Sequence, residues 1–209
     1  RRYLNAKGMA VVTMKYRTPR PVGLAKHTTA WQDLQRVIRI VRSQAKEKGL
    51  DPDRIGIMGS SAGGHLAASY CTEKYGSPMP SALILVYPVI TMEIGVTHKG
   101  TRERLIKESA VWNHHLADKY SLQKQVTRFT PKTFIALCSD DRVVPAENSL
   151  LYYNALIDLD VPVEMHIWPT GGHGWGFSAE KYVGKGKDPF AYAREDFENS
   201  LERWLKEVR

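Results

Sequence analysis

The sequence predicts an α/β fold in which a doubly wound, mostly parallel sheet is flanked by helices. Short apolar runs alternate with stretches of helical periodicity, which favours parallel strands joined by helical crossovers. A strand, a tight glycine turn and a helix also follow one another directly at residues 54–70. Since 43% of the 209 residues are hydrophobic, we expect one domain over residues 1–209 with a substantial core.

Five short apolar segments are predicted strands. Each is short enough for a strand, and turn or helical residues separate it from the next. The predicted strands are residues 9–16, 54–58, 82–87, 133–138 and 163–168.

Three longer segments are predicted helices. The first carries an apolar stripe at helical spacing and is ended by Gly49 and Pro52. The second covers residues 146–159, directly after Pro145, and the third covers residues 189–208. The stripe of the first helix consists of Trp31, Leu34, Val37, Ile38, Val41 and Ala45.

The turn between the second predicted strand and its helix reads Gly59-Ser60-Ser61-Ala62-Gly63. A sharp strand-to-helix turn exposes a serine hydroxyl and requires small neighbours, and we expect the glycines at 59 and 63 to meet that need. Ser61 is therefore the candidate nucleophile. The Ala62 N–H, at the start of the helix, is the candidate donor to an oxyanion.

A carboxylate and an imidazole follow later strands in the order that a Ser–Asp–His triad requires. Asp140 and Asp141 come directly after the predicted strand at 133–138, and His173 lies in a glycine-rich segment after the last one. The carboxyl ends of parallel strands share one edge of a sheet, where ligands bind. Histidine would take the serine proton and one aspartate would orient the histidine.

With these motifs the chain resembles the α/β-hydrolase superfamily, in which the acid stands four residues before a proline. That register selects Asp141, ahead of Pro145, and leaves Asp140 as a turn residue that bonds local backbone N–H groups. The closer resemblance is to esterases that include acetylxylan, feruloyl and hormone-sensitive-lipase-like acetyl esterases. The matching segments are residues 15–17, 51–59, 61–67, 87–89, 141–145 and 172–177.

The resemblance implies a serine carboxylic-ester hydrolase that removes small acyl groups, acetyl above all, from carbohydrate such as xylan. Its catalytic residues would be Ser61, Asp141 and His173, with Ala62 at the oxyanion. Two alternatives stay open: a peptidase similar to prolyl oligopeptidase, and a catalytically impaired fragment that acts as a binding or structural piece. The resemblance implies no cofactor, and the expected partner is a small-molecule or oligosaccharide ester.

One segment of the family pattern is missing. A His-Gly-Gly-Gly-type loop would normally supply oxyanion amides, and the five predicted strands resemble the fourth to eighth of the family's eight. We therefore expect an N-terminally incomplete domain, lacking the first strands, whose intrinsic activity is impaired. Residues 9–16 and 54–58 would then face each other across a gap with unpaired backbone groups. Three outcomes are open: the two strands pair directly, a segment of another chain fills the gap, or the isolated piece is poorly folded.

The segment 91–124 is the one long insertion between predicted core elements. Two interpretations are open: a small cap over the site, or a surface excursion fixed by Trp112. Ser60, Trp112 and Trp175 are candidate pocket residues. No metal is predicted, because adjacent histidines such as His114 and His115 point apart on a helix or strand.

Composition limits the remaining functions. The formal net charge of +8 is spread along the chain, which favours a solvated basic surface over nucleic-acid binding. No apolar run is long enough for a membrane span, and no signal peptide is visible. The resemblance is compatible with a secreted or periplasmic full-length form and with a homo-oligomer. Cys71 and Cys138 are predicted to be small buried residues.

Overall fold

The structure is a computed structural model that describes residues 1–18, 28–72, 79–106, 114–177 and 188–208. Helices and strands alternate through most of this part of the chain, as the sequence predicts. The strands are β1 (Gly56–Ser60), β2 (Ala82–Val86), β3 (Thr133–Cys138) and β4 (Val163–Trp168). The helices are α1 (Arg2–Ala6), α2 (Thr29–Gln44), α3 (Ala62–Tyr70), α4 (Lys99–Ile106), α5 (His114–Tyr120), α6 (Glu147–Ile157) and α7 (Ala191–Glu207). Short 3₁₀ turns occupy Lys46–Lys48 and Leu122–Gln125.

The four strands form one parallel sheet in the order β1-β2-β3-β4. Every residue of β2 and β3 is buried, so helices or loops cover both faces of the sheet centre. Helix α3 packs on β1 and β2, α7 packs on β3, and α6 packs on β4. This doubly wound arrangement brings the carboxyl ends of all four strands to one edge.

The predicted strand at residues 9–16 is wrong. Residues 9–18 are described and lie in neither helix nor strand, although Met14 and Tyr16 pack against the core. A strand forms only against a hydrogen-bonded neighbour, and the paired strands of the described chain do not include this segment. The suggested direct closure between residues 9–16 and the second predicted strand is therefore absent from this structure.

Residues 9–18 are instead fixed to helix α2 by an ion pair. The Arg17 guanidinium donates from Nε and Nη2 to Asp33 Oδ1, at 3.0 and 2.7 Å, and the Arg17 backbone N–H donates to Oδ2 at 2.8 Å. The strand after this segment also differs from the prediction, because β1 runs from Gly56 to Ser60 and so continues up to the turn at Ser61.

The insertion at 91–124 packs through a small apolar cluster of its own. The cluster joins residues of the insertion to the segments that follow β2 and β3. Asn148 of α6 is fully buried and binds the insertion through its side-chain amide: Oδ1 accepts from the Ile90 and Thr91 N–H groups, and Nδ2 donates to the Val96 carbonyl at 2.9 Å. The cluster consists of Val89, Met92, Ile106, Tyr120 and Val144.

No helix in the described part of the chain combines the length and the apolar character that a membrane span requires.

Candidate active site

The turn between β1 and α3 holds Ser61 in an unusual backbone conformation. Ser61 has φ +54° and ψ −125°, a region that side-chain-bearing residues rarely occupy. Its N–H donates to the Val86 carbonyl at 3.1 Å, and its own carbonyl accepts from Gly64, His65 and Val89 N–H groups. Contacts to α3, to the end of β2 and to the segment after β2 together maintain this strained turn.

Close contacts explain which glycines the turn requires. A Cβ on Gly59 would lie 2.2 Å from the Gly63 carbonyl oxygen, and a Cβ on Gly64 would lie 2.7 Å from the Pro88 Cβ. A Cβ on Gly63 would meet nothing within 4 Å. The expectation that glycines 59 and 63 provide the space is therefore correct for Gly59 and wrong for Gly63, whose place is taken by Gly64.

The structure brings Ser61, His173 and Asp141 into one chain of hydrogen bonds. His173 Nε2 lies 2.9 Å from Ser61 Oγ, and His173 Nδ1 lies 2.6 Å from Asp141 Oδ2. Because the carboxylate can only accept, Nδ1 carries the proton and leaves Nε2 free to accept from the serine hydroxyl. This is the geometry that a general base needs to activate a serine.

Asp141 is held as an ionised acceptor. Its Oδ1 accepts from the Val143 and Val144 N–H groups at 2.8 and 2.9 Å, and only 5% of the residue is exposed. Burial alone would raise the pKa of this carboxyl. The hydrogen bonds from His173, Val144 and Val143 outweigh burial, and the pKa lies below its ordinary value.

Asp140 takes a different position from its neighbour. Its carboxylate accepts from the backbone N–H groups of Gly172 and Gly171, at 2.8 and 3.3 Å. The expectation that Asp140 bonds its own turn is therefore wrong, since its partners lie in the loop that carries His173. The choice of Asp141 over Asp140 agrees with the geometry, because the His173 ring contacts Asp141.

The Ala62 N–H group is the first of α3. The opening N–H groups of a helix have no acceptor within the helix, and they favour negative charge. Ala62 is adjacent to Ser61, so this donor belongs to the same turn as the hydroxyl. The site thus brings together a serine hydroxyl, an imidazole nitrogen and at least one backbone donor.

Tyr87 is a site residue that sequence reasoning did not single out. It follows β2 with φ +39°, and its ring lies 4.6 Å from the His173 ring, centroid to centroid. Its N–H donates to the Ala136 carbonyl at 2.7 Å. The segment Tyr87-Pro88-Val89 was visible as part of the family resemblance, but its contact with His173 was not.

The three candidate pocket residues differ in where the structure places them. Ser60 is exposed at the end of β1, next to Ser61. Trp175 is fully buried: its ring stacks on Phe190 at 3.8 Å and meets Tyr87 edge-on at 5.0 Å. Its indole therefore faces the core rather than a substrate, which corrects the expectation for this residue. Trp112 lies outside the described residues.

Two histidines lie where the insertion 91–124 approaches the serine turn and His173. His65 of α3 is buried, and its Nε2 donates to the Tyr120 carbonyl at 2.9 Å; burial lowers its pKa to about 4. His98, before α4, has its Nδ1 2.9 Å from Thr101 Oγ1. Burial lowers the pKa of His98, as do a protonated His173 and the charge of Arg104, whereas the Asp141 carboxylate opposes this shift. His98 is a neighbour of the triad that the sequence pattern did not indicate.

His114 and His115 are both exposed at the start of α5. The described residues contain no group of three or more histidine, cysteine and carboxylate side chains that could hold a metal ion.

A strained serine turn and a serine–histidine–aspartate chain at the carboxyl edge of a parallel sheet define a class of α/β proteins. The comparison with protein families agrees with this class. The family model described as the alpha/beta hydrolase fold matches residues 1–177, and the chain belongs to the α/β hydrolase family.

Two of the relatives have carbohydrate-related names. The chain is 35% identical over 177 residues to an acetylxylan esterase of Xylanibacter ruminicola, with 84% of this chain and 36% of that protein covered. It is 32% identical over 179 residues to endo-1,4-beta-xylanase B of Butyrivibrio fibrisolvens, with 80% of this chain and 28% of that protein covered. The chain thus spans about a third of the length of these curated relatives.

Among solved structures, the chain is similar to the acetyl ester-xyloside bifunctional hydrolase of Caldicellulosiruptor lactoaceticus. The two are 34% identical with a TM-score of 0.78, and the match covers 99% of this chain and 74% of that one.

Proposed function

We propose that this chain is a serine carboxylic-ester hydrolase that removes small acyl groups, acetyl above all, from carbohydrate such as xylan. The observation that carries the proposal is the hydrogen-bonded chain from Asp141 through His173 to Ser61 Oγ. The names of the acetylxylan esterase and of the acetyl ester-xyloside hydrolase support the substrate class.

In the first half of the proposed reaction, Ser61 Oγ attacks the ester carbonyl carbon while His173 Nε2 takes the hydroxyl proton. Asp141 stabilises the imidazolium that forms, and it does so without taking the proton. The Ala62 N–H donates to the oxygen on which negative charge develops. The imidazolium then protonates the sugar oxygen, the C–O bond breaks, and the alcohol leaves acetyl-Ser61 behind.

In the second half, water takes the place of the alcohol. His173 Nε2 removes a proton from the water, whose oxygen attacks the acetyl carbonyl of acetyl-Ser61. Collapse of this intermediate returns the proton to Ser61 Oγ and releases acetic acid, which ionises to acetate at neutral pH. The ester and one water molecule thus become an alcohol and acetic acid, and no cofactor is needed for the balance.

Two substrates test this proposal. Purified protein is assayed with 4-nitrophenyl acetate and with acetylated xylo-oligosaccharides, and acetate release is measured. The proposal expects wild-type protein to hydrolyse both substrates and Ser61→Ala to hydrolyse neither. Ser60→Ala is the control, because it keeps the fold and the Ser61 nucleophile. Hydrolysis of neither substrate by folded wild-type protein would overturn the proposal in favour of the impaired-fragment alternative. Cleavage of an acylated peptide in preference to both esters would favour the peptidase alternative.

A further inference from the structure

We propose that Asp140 is a positioning residue for His173. Its carboxylate holds the backbone of the loop that carries the imidazole, so that the ring meets Ser61 and Asp141 at the same time. This rests on the proposed function, since it gives Asp140 a part in the same reaction. The residue itself touches no substrate atom in this scheme.

The contact joins two loops at the carboxyl edge of the sheet. Asp140 Oδ1 lies 2.8 Å from the Gly172 nitrogen, and Asp140 Oδ2 lies 3.3 Å from the Gly171 nitrogen. Two consecutive backbone N–H groups thus donate to one carboxylate, and hydrogen bonds to an ionised acceptor are stronger than those between neutral groups. The carboxylate therefore binds the two residues directly before the histidine.

The loop depends on such a contact because glycines dominate it. Gly171, Gly172 and Gly174 have φ values of +140°, +60° and +82°. Glycine reaches these conformations without steric cost, but it also has the largest conformational freedom to lose. Without fixed partners, the backbone on both sides of His173 would sample other conformations, and the ring would leave the serine.

Other contacts hold the loop at its two ends. The Tyr192 hydroxyl donates to the Thr170 carbonyl at 2.9 Å, and Arg194 Nη1 donates to the Gly176 carbonyl at 2.6 Å. Both side chains belong to α7. Asp140 binds the segment between these two ends, adjacent to His173, and so it controls the position of the histidine more directly than either of them.

The end of β3 is a rigid base for this contact. All residues of β3 are buried, and a Cβ on Gly171 would lie 2.7 Å from Cys138 Sγ, so the loop backbone packs directly on the strand end. Asp140 and Asp141 follow that strand end together. The Asp141 carboxylate binds the His173 ring and the Asp140 carboxylate binds the loop backbone. The ring and the backbone are therefore both held by the residues that follow β3.

Three variants test the role. Asp140→Ala removes both acceptors, whereas Asp140→Asn keeps one acceptor oxygen and turns the other end into a donor that repels the second N–H. Asp158→Ala is the matched control, because Asp158 is an exposed aspartate at the end of α6. Each protein is titrated with a fluorophosphonate to count the sites in which Ser61 reacts, and kcat and KM for 4-nitrophenyl acetate are expressed per titrated site.

The expected result is a loss of about 10²-fold in kcat for Asp140→Ala with KM within about twofold, since misplaced catalytic groups lower the rate more than binding. Asp140→Asn should recover part of this loss, and Asp158→Ala should match the wild type. The downfield NMR signal of the proton between His173 Nδ1 and Asp141 gives a readout without substrate. It should broaden or vanish in Asp140→Ala and persist in Asp158→Ala.

Two results would overturn the positioning role. One is wild-type kcat per titrated site in Asp140→Ala together with an unchanged downfield signal. The other is a loss confined to the number of titratable sites, which would mean that Asp140 supports folding alone. If wild-type protein hydrolyses no ester, the proposed function fails, but the NMR signal and the rate of fluorophosphonate labelling still decide the role of Asp140.

Discussion

Gly64 and Pro88 are in direct contact and hold the start of α3 against the segment after β2. A Cβ built on Gly64 would lie 2.7 Å from the Cβ and 3.0 Å from the Cα of Pro88. The backbone of Pro88 cannot move easily, because the neighbouring Val89 N–H donates to the Ser61 carbonyl at 3.1 Å. The position of Ser61 is thus coupled to a close approach between two backbone segments.

Gly64→Ala should therefore destabilise the protein, whereas Gly63→Ala should not. Overpacking at a rigid contact costs about 1–3 kcal/mol, and here it also displaces Ser61. A Cβ at Gly63 meets nothing within 4 Å, and alanine favours the helix by up to about 1 kcal/mol. Urea unfolding of both variants measures the difference. Equal stabilities would contradict the close contact at Gly64.

Asp141→Asn should reduce kcat by about 10⁴-fold, far more than Asp140→Asn. Asparagine keeps the size of the side chain, but its one oxygen is needed by the Val143 and Val144 N–H groups. Its amide N–H then faces His173 Nδ1 and disfavours the tautomer in which Nδ1 is protonated. The measurement is kcat for 4-nitrophenyl acetate, with circular dichroism as the check on folding. Near-equal losses in the two variants, or a larger loss for Asp140→Asn, would show that the acid is assigned to the wrong aspartate.

The sequence predicted those parts of the fold and site that depend on local pattern. Strands β2 and β3 are almost entirely apolar runs, whereas β4 has Glu164 and His166 between its apolar residues. The structure places all three within one residue of the prediction. The chain order of Ser61, Asp141 and His173 follows from where each one stands relative to its strand. The parallel sheet then brings the three ends together without further information.

The parts that failed depend on contacts between distant segments. Residues 9–16 have a strand-like sequence, but pairing requires a neighbour that a local pattern does not specify. Gly63 and Gly64 look equivalent in sequence, and only the approach of Pro88 distinguishes them. Trp175, two residues after His173, could equally face substrate or core, and its stacking on Phe190 decides this.

Asn148→Ala should destabilise the protein by about 3 kcal/mol or more. The side chain is fully buried and makes four hydrogen bonds, three of them to the segment 90–96 and one to the Pro145 carbonyl. Alanine leaves the Ile90 and Thr91 N–H groups and the Val96 carbonyl unsatisfied, and each such group costs about 1–3 kcal/mol. The Pro145 carbonyl keeps the backbone N–H of residue 148 as a donor. Asn154→Ala, at an exposed position of the same helix, is the control. Urea unfolding at neutral pH compares them, and a loss under about 1 kcal/mol for Asn148→Ala would contradict the anchoring role.

His65 should make the protein less stable as the pH falls below neutrality. Burial lowers its pKa from 6.5 to about 4 in the folded chain, so the folded state resists protonation more than the unfolded state does. The stability contributed by neutral His65 is complete above the unfolded pKa and is lost progressively as the pH falls toward the folded pKa. Between pH 7 and pH 5 this amounts to on the order of 2 kcal/mol.

His65→Gln isolates this effect, because glutamine can donate to the Tyr120 carbonyl but does not titrate. The free energy of unfolding in urea is measured at both pH values for wild type and variant. Other titrating groups contribute equally to the two proteins, so the loss on acidification should be smaller in His65→Gln by on the order of 2 kcal/mol. Parallel losses in wild type and variant would mean that His65 is not held neutral in the folded protein.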